Sequence, residues 1–154
     1  RSGAPFSLIM LDVDHFKRIN DTHGHAVGDQ ALILLASALR QAIRGNDLAG
    51  RMGGEEFAIL LPEASEDEAL AVAERVRRHV AGLRLPVRSA AGASEAEIRF
   101  TASLGVAECR RDDARIEQPL ARADQALYRA KEAGRNRVMR AGAARGLVAP
   151  LAVS

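Results

Sequence analysis

The spacing of apolar and polar residues divides the first part of the chain into a strand, a loop and a long helix. Residues 6–11 form an apolar run that ends at the carboxylates of Asp12 and Asp14, which is typical of a buried strand reaching a polar surface. Residues 20–25 are rich in turn-forming side chains and are predicted to be a loop. In residues 26–44 the apolar positions recur at spacings of three and four, which predicts an amphipathic helix.

A hairpin is predicted in the middle of the chain. Residues 47–52 and 57–61 each have the character of a short strand, and the pair Gly53-Gly54 between them favours a turn. Because strands and helices alternate on either side of this hairpin, the sequence predicts a sheet with helices packed on it.

The rest of the chain continues the alternation. Ser65, with Glu68 three residues later, forms a capping-box pattern that predicts the start of a helix ending at Gly82. The segments that follow are predicted to be irregular chain at 83–97, a strand at 98–108 with a bulge near Gly105, a helix at 117–133, a closing strand at 136–140 and a flexible tail at 141–154.

Composition and charge narrow the class of protein. The 154 residues suit one domain, and 22 basic against 20 acidic side chains leave a formal net charge of +2, too small to indicate nucleic-acid binding by itself. The single cysteine, Cys109, excludes an internal disulfide framework and a cysteine-based zinc site. There is no apolar run of about 18 residues, so we expect no membrane segment in this chain.

Four carboxylates are candidates for a metal site. Asp12 and Asp14 lie two residues apart at a strand end, so the strand period places them on one face. Glu55 and Glu56 follow the glycine pair at the hairpin tip, and the glycines would let a bulky ligand approach closely. If these anions converge, a hard cation such as Mg²⁺ would relieve their repulsion. The alternative is that they are solvated turn residues.

Two groups of residues could bind a nucleotide. Lys17 lies where a helical turn would present backbone N–H groups to an anion. On the predicted C-terminal helix, Lys131 and Arg135 share a polar stripe with Asp124 and Tyr128, and such cations suit phosphates. They could equally be cations that stabilise a helix C-terminus.

Asn20 and Asp29 flank the glycine-containing loop before the long helix. An amide and a carboxylate are the group types that can read the edge of a guanine base. The alternative for both residues is helix capping and turn formation.

Taken in order, these segments resemble a GGDEF domain. The motifs are Asp12-Val-Asp-His-Phe-Lys-Arg-Ile-Asn-Asp-Thr-His-Gly-His-Ala-Val-Gly-Asp29, then Arg51-Met-Gly-Gly-Glu-Glu-Phe57 (the GGEEF variant), then residues 101–107 and residues 123–137. Each motif alone is weak, but four in register over residues 6–140 are specific. We therefore expect a GGDEF domain at 1–140 followed by the tail at 141–154.

The resemblance implies the α+β class, with a palm-like fold of the ferredoxin-like, nucleotidyl cyclase type whose mostly antiparallel central sheet is wrapped by helices. It implies a diguanylate cyclase, which condenses two GTP into cyclic di-GMP with release of two pyrophosphates. Since one domain binds one GTP, turnover would need a homodimer. Two Mg²⁺ per half-site are implied, with Mn²⁺ as a substitute.

The resemblance also implies roles for individual residues. The expected metal ligands are Asp12, the Val13 carbonyl, Glu55 and Glu56, with Glu56 also accepting the proton of the attacking hydroxyl. The expected guanine contacts are Asn20, Asp29 and Leu32, the last from a position off the apolar stripe of its helix. The expected phosphate contacts are His15, Phe16, Lys17, Lys131 and Arg135. Gly53 and Gly54 would let the nucleotide lie against the hairpin.

A product-inhibition site is implied as well. Arg44-Gly-Asn-Asp47 matches the RxxD inhibitory motif of the family at the expected distance from GGEEF, and Arg75 on the next helix would supply a second arginine. Arginines suit the phosphates and guanines of cyclic di-GMP.

The family normally has a helix and a turn before the first strand, and this chain begins at Arg1, a few residues before that strand. We therefore expect a fragment of a longer bacterial, cytoplasmic protein whose regulatory and dimerising part lies upstream. Two other functions stay open: a non-catalytic GTP- or cyclic di-GMP-binding module, and a plain ferredoxin-like interaction domain. The intact Gly53-to-Glu56 sequence favours the cyclase.

Overall fold

The computed structural model of the protein describes residues 5–88 and 95–142. Its strands are β1 (Phe6–Val13), β2 (Leu48–Gly53), β3 (Glu56–Pro62), β4 (Leu85–Arg88), β5 (Glu95–Ile98), β6 (Ala102–Glu108) and β7 (Val138–Arg140). Its helices are α1 (Phe16–His23), α2 (His25–Ala42), α3 (Glu66–Ala81) and α4 (Glu117–Glu132).

The main sheet has five strands in the order β2-β3-β1-β6-β7. The central strand β1 is antiparallel to both β3 and β6, and only β7 runs parallel to its neighbour, β6. A mixed sheet of this kind with helices on its faces confirms the predicted α+β class. Strands β4 and β5 form a separate antiparallel pair.

Strand β1 separates two hydrophobic layers. Ile9, Leu11 and Val13 belong to the larger core, which α2 and α3 cover. Met10 faces the other way, into a smaller cluster with Ala123 and Leu127 of α4. Asp12 shares the α4 face with Met10 because side chains alternate along a strand. The edge of the sheet where β1 ends is therefore closed on one side by α4.

Helix α4 lies directly on the sheet because Gly105 has no side chain. A Cβ at Gly105 would stand 2.1 Å from the carbonyl oxygen of Ala123 and 2.3 Å from the amide nitrogen of Leu127. The predicted bulge at this position is wrong, since β6 keeps a continuous register with β1 and pairs Gly105 with Met10. The glycine accommodates a helix rather than an irregular strand.

Three predicted boundaries are corrected. Most of the predicted loop at 20–25 belongs to α1, which has only eight residues and whose second half consists of polar, mostly turn-forming side chains. The predicted irregular stretch at 83–97 contains β4 and β5, while residues 89–94 lie outside the described residues. The predicted strand at 98–108 begins later than expected, because Ile98 is the last residue of β5 and β6 begins only at Ala102.

The hairpin and the capping box are confirmed. Strands β2 and β3 pair around the predicted turn, with a register shift between Arg51 and Gly53. At the start of α3, the Glu68 N–H donates to Ser65 Oγ at 3.2 Å, and the Ser65 N–H donates to Glu68 Oε1 at 2.8 Å. Of the predicted tail, residues 143–154 lie outside the described residues.

Candidate active site

The hairpin brings the acidic residues of two distant segments together. In the pairing of β1 with β3, Asp12 is the register partner of Glu56. The backbone N–H of Val13 donates to the carbonyl oxygen of Glu55 at 3.4 Å. Antiparallel pairing therefore places the end of β1 beside the Glu55-Glu56 tip of the hairpin.

Asp12 is a buried carboxylate with one satisfied oxygen. Its side chain is only 6% exposed, and its Oδ2 accepts a hydrogen bond from the ammonium of Lys131 in α4. Its Oδ1 is buried and has no hydrogen-bond partner among the described residues. Burial raises the pKa of Asp12, against the lowering effect of Lys131, and the charges of Glu55 and Glu56 raise it further.

These residues fit a divalent cation. Within the ranges 5–88 and 95–142, no three His, Cys, Asp or Glu side chains are already gathered into a metal-binding group. However, an unpartnered buried oxygen next to two more carboxylates is the donor chemistry that Mg²⁺ prefers. The ammonium of Lys131 occupies the other oxygen of Asp12, Oδ2, so Oδ1 is the oxygen that is left for a cation.

Asp14 does not join this group, although the sequence pattern made it a candidate together with the other three carboxylates. Its Oδ2 accepts from Thr101 Oγ1 at 2.6 Å and from the Asn136 N–H at 3.0 Å, and its Oδ1 accepts from Ser103 Oγ at 2.7 Å. Both oxygens are thus occupied by protein donors. Sequence reasoning missed these partners, because isolated hydroxyls and one backbone N–H give no local signal.

The expected phosphate contacts lie at two helix ends. Helix α1 begins at Phe16, directly after His15 in a left-handed conformation with φ 57°. The first N–H groups of a helix have no intrahelical partners, so those of Phe16 and Lys17 can face an anion. The Lys17 ammonium is exposed and pairs with Asp21 at 2.9 Å, which raises its pKa. Arg135 follows α4 in a turn and is exposed.

A cavity of about 500 Å³ lies between α2 and the hairpin. Its lining includes Asp29 and Leu32 from the expected guanine contacts, together with Ile33, Arg40, Arg51 and Phe57. Leu32 is only 5% exposed and belongs to the main core, so the expectation that it lies off the apolar stripe is wrong. Its position in the lining nevertheless leaves it available to a base.

Asn20 is not among the residues that line this cavity. Its amide oxygen is buried without a hydrogen-bond partner in the described part of the chain, and it lies against α2 at Gly28. The structure therefore places Asn20 and Asp29 on adjoining helices. Whether they read guanine together stays a prediction.

The three residues of the expected inhibitory site lie near the end of α2. Arg44 and Asp47 form a turn in which the Arg44 N–H donates to Asp47 Oδ2 at 3.0 Å and the Asp47 N–H donates to the Arg44 carbonyl at 2.8 Å. Arg75, exposed on α3, donates from Nη2 to the carbonyl oxygen of Ala42 at 2.8 Å. This contact fixes α3 beside the RxxD turn.

Comparisons with known proteins agree with this fold. Residues 1–137 match the family described as diguanylate cyclase, GGDEF domain, so the chain belongs to the GGDEF family. It is 45% identical to the diguanylate cyclase DgcM of Escherichia coli over 136 residues, which are 88% of this chain and 31% of DgcM.

This structure is similar to solved structures of diguanylate cyclases and GGDEF domains. The diguanylate cyclase SiaD of Pseudomonas aeruginosa, solved with its activator SiaC, has 42% identity and a TM-score of 0.84 over 92% of this chain and 52% of that chain. The GGDEF domain of DgcB from Caulobacter crescentus, solved with c-di-GMP, has 35% identity and a TM-score of 0.82 over 91% of this chain and 80% of that chain. The chain spans about a third of the length of the curated relatives it matches.

None of the helices in the described ranges is long and apolar enough to cross a membrane.

Proposed function

We propose that this chain is a diguanylate cyclase that condenses two GTP into cyclic di-GMP and releases two pyrophosphates. The observation that carries the proposal is the meeting of Asp12 with the Glu55-Glu56 tip of the hairpin, beside the Lys131 ammonium. Membership of the GGDEF family and the c-di-GMP bound to DgcB support it.

Asp12, the Val13 carbonyl, Glu55 and Glu56 would hold Mg²⁺, or Mn²⁺ in its place. When bound, the metal lowers the pKa of the attacking 3′-hydroxyl and offsets the charge of the phosphates. The Oδ1 of Asp12, which has no hydrogen-bond partner among the described residues, is the oxygen that would bind this metal.

The chain's own groups bind and orient the nucleotide. The N–H groups at the start of α1, at His15, Phe16 and Lys17, face the terminal phosphates together with the cations Lys131 and Arg135. Asn20 and Asp29, on the adjoining helices α1 and α2, contact the guanine edge, and Leu32 of α2 packs on the base. Gly53 and Gly54 leave room for the nucleotide along the hairpin.

Glu56 accepts the proton of the 3′-hydroxyl as it attacks the α-phosphate of the second GTP. Each domain holds one GTP, so closing the ring requires two domains that face one another. Much of the catalysis is therefore the positioning of one half-site against the other. Cyclic di-GMP bound at Arg44, Asp47 and Arg75 would hold the domains apart in an arrangement that cannot react, provided it binds that arrangement more tightly.

The test is turnover of GTP by the chain fused to a dimerising coiled coil. With Mg²⁺, we expect cyclic di-GMP and pyrophosphate in a ratio of one to two, and a loss of about 10²–10⁴-fold in Glu56→Gln, the range for removal of a general base. Glu117→Gln, an exposed glutamate at the start of α4, is the matched control.

Binding of GTP without turnover would favour the non-catalytic binding module. Absence of both binding and turnover would refute the proposed function. Equal product from wild type and Glu56→Gln would refute the role of Glu56 alone.

A further inference from the structure

The turn after α4 has an unusual backbone. Gly134, Arg135 and Asn136 have φ values of 125°, 65° and 49°, three positive values in succession. Left-handed backbone is costly for residues other than glycine and persists where the surroundings enforce it, often at functional sites. Arg135, an expected phosphate contact, lies in the middle of this turn.

Asp14 holds the turn from the side of the sheet. Its Oδ2 accepts from the Asn136 N–H at 3.0 Å, so a buried carboxylate fixes the backbone immediately after Arg135. Asp14 is itself fixed by the hydroxyls of Thr101 and Ser103, at 2.6 and 2.7 Å, and its own N–H donates to the Thr101 carbonyl at 2.9 Å.

Helix α3 holds the same turn from outside. Arg77 donates from Nη1 to the side-chain oxygen of Asn136 at 2.9 Å. Two further hydrogen bonds to Glu74, at 2.6 and 2.9 Å, fix the Arg77 guanidinium. Asp14 thus holds the backbone of Asn136, and Arg77 holds its side chain, each through a hydrogen bond.

We propose that Asp14 is a positioning residue, which fixes the turn so that Arg135 meets the β- and γ-phosphates of GTP. Arg77, acting through Asn136, is the outer support of the same turn. Asp14 lies two residues after the metal-site residue Asp12, so one strand end sets the position of both the metal site and the phosphate cation. No carboxylate in the described residues pairs with the Arg135 guanidinium, which leaves it available to an anion. The inference rests on the proposed function, because it assumes that GTP is the ligand.

The decisive comparison is Asp14→Asn against Asp14→Ala. Both variants remove the negative charge next to Asp12. Only the Asn variant keeps the hydrogen bonds that fix the turn. Its amide oxygen can accept from Asn136 and Thr101, while its amide nitrogen donates to the Ser103 hydroxyl, which can also accept. The difference between the two variants therefore isolates the hydrogen bonds from the charge.

The measurement is calorimetric binding of a non-hydrolysable GTP analogue and of GMP, each with Mg²⁺. We expect Asp14→Ala to bind the GTP analogue about tenfold more weakly than Asp14→Asn, or about 1.4 kcal/mol. GMP lacks the β- and γ-phosphates, so its affinity should be the same in both variants. A merely structural role for Asp14 would weaken both ligands alike.

A second pair of variants tests the outer support without touching the buried residues. Arg77 and Arg78 are adjacent on α3 and both pair with Glu74, but only Arg77 reaches Asn136. Arg77→Met should weaken binding of the GTP analogue a few-fold, with GMP unaffected, and Arg78→Met should change neither.

The outcomes separate the two proposals. If the wild-type chain binds no GTP analogue, the proposed function fails. If the wild type binds it but Asp14→Ala and Asp14→Asn share one ratio of GTP-analogue to GMP affinity, the positioning role is overturned. Should Asp14→Ala not fold, as judged by circular dichroism, equal behaviour of Arg77→Met and Arg78→Met overturns it instead.

Discussion

The amide oxygen of Asn20 occupies the space that a side chain at position 28 would need: a Cβ at Gly28 would lie 1.9 Å from Asn20 Oδ1 and 3.2 Å from the ring of Phe16. Gly28 is inside α2, where glycine costs roughly 0.5–1 kcal/mol relative to alanine. This cost is offset by the close packing of α1, which carries Asn20, against α2, which carries Asp29.

We therefore expect Gly28→Ala to displace the Asn20 side chain and to weaken GTP binding about tenfold, the value of a well-made hydrogen bond to the base. Asn20→Ala should cause a similar loss, and the double variant should be no worse than either single variant, because both act through the same amide. Titration calorimetry on the four proteins measures this coupling. Gly45→Ala, whose Cβ would meet nothing within 4 Å, is the control. Additive losses would contradict the idea.

The parts of the fold that the sequence predicts are those with local signals. The glycine pair of the hairpin and the capping box of Ser65 and Glu68 are set by residues a few positions apart, and both form as predicted. Helix α1 lacks a strong local signal, because it is only eight residues long and its second half, residues 20–23, is polar and rich in turn-forming side chains.

The contacts of Asp14 show why part of the site could not be predicted. Its partners Thr101, Ser103 and Asn136 lie 87, 89 and 122 residues away in the chain. Strand periodicity placed Asp14 on the same face as Asp12, but a hydroxyl on a neighbouring strand decides whether a carboxylate is free to bind metal. Only the family resemblance, which assigned no metal to Asp14, separated the two.

Gly105 provides a test of how α4 is fixed to the sheet. Gly105→Ala would place a Cβ within 2.1 Å of the α4 backbone, so the helix must move outward. Overpacking of this kind costs about 1–3 kcal/mol of unfolding free energy. Urea denaturation should show a lower midpoint for Gly105→Ala and little change for Gly50→Ala, which meets nothing within 4 Å. Equal midpoints would mean that α4 does not lie as close to β6 as described.

Acid stability should depend on the ion pair between Asp113 and Arg122. Arg122 donates from both terminal nitrogens to the two carboxylate oxygens, at 2.9 and 2.7 Å, and this lowers the pKa of Asp113 from 3.8 to about 2. Since the folded pKa lies below the unfolded one, the stabilisation is fully present above about pH 5. It disappears as the pH falls from about 4 to about 2, and amounts to about 2 kcal/mol.

The pH dependence of urea unfolding checks this. Asp113→Asn should be less stable than wild type at neutral pH, and the difference should shrink toward pH 2. The control is Asp21→Asn, since Asp21 pairs with Lys17 on an exposed surface, where such pairs contribute little. A difference that stays constant down to pH 2 would show that Asp113 is not held as an anion by Arg122.

The pairing of Lys131 with Asp12 leads to a prediction about metal. Lys131→Met would leave the buried Asp12 carboxylate beside Glu55 and Glu56 without its compensating ammonium. We expect a loss of about 1–3 kcal/mol in unfolding free energy near neutral pH. This loss is below the range for fully buried ion pairs because the Lys131 side chain is 32% exposed. Burial already raises the pKa of Asp12 in the folded state. The destabilisation by this carboxylate is therefore absent below the pKa of Asp12 in the unfolded chain, and it grows as the pH rises through the pKa of Asp12 in the folded protein.

Mg²⁺ that binds only to the folded protein should restore part of the stability lost in Lys131→Met by mass action. Thermal unfolding should therefore show a larger rise in Tm with Mg²⁺ for Lys131→Met than for wild type, and no such excess for Lys17→Met, which removes an exposed cation. If Mg²⁺ shifted the Tm of wild type and Lys131→Met equally, the metal would not bind beside Asp12.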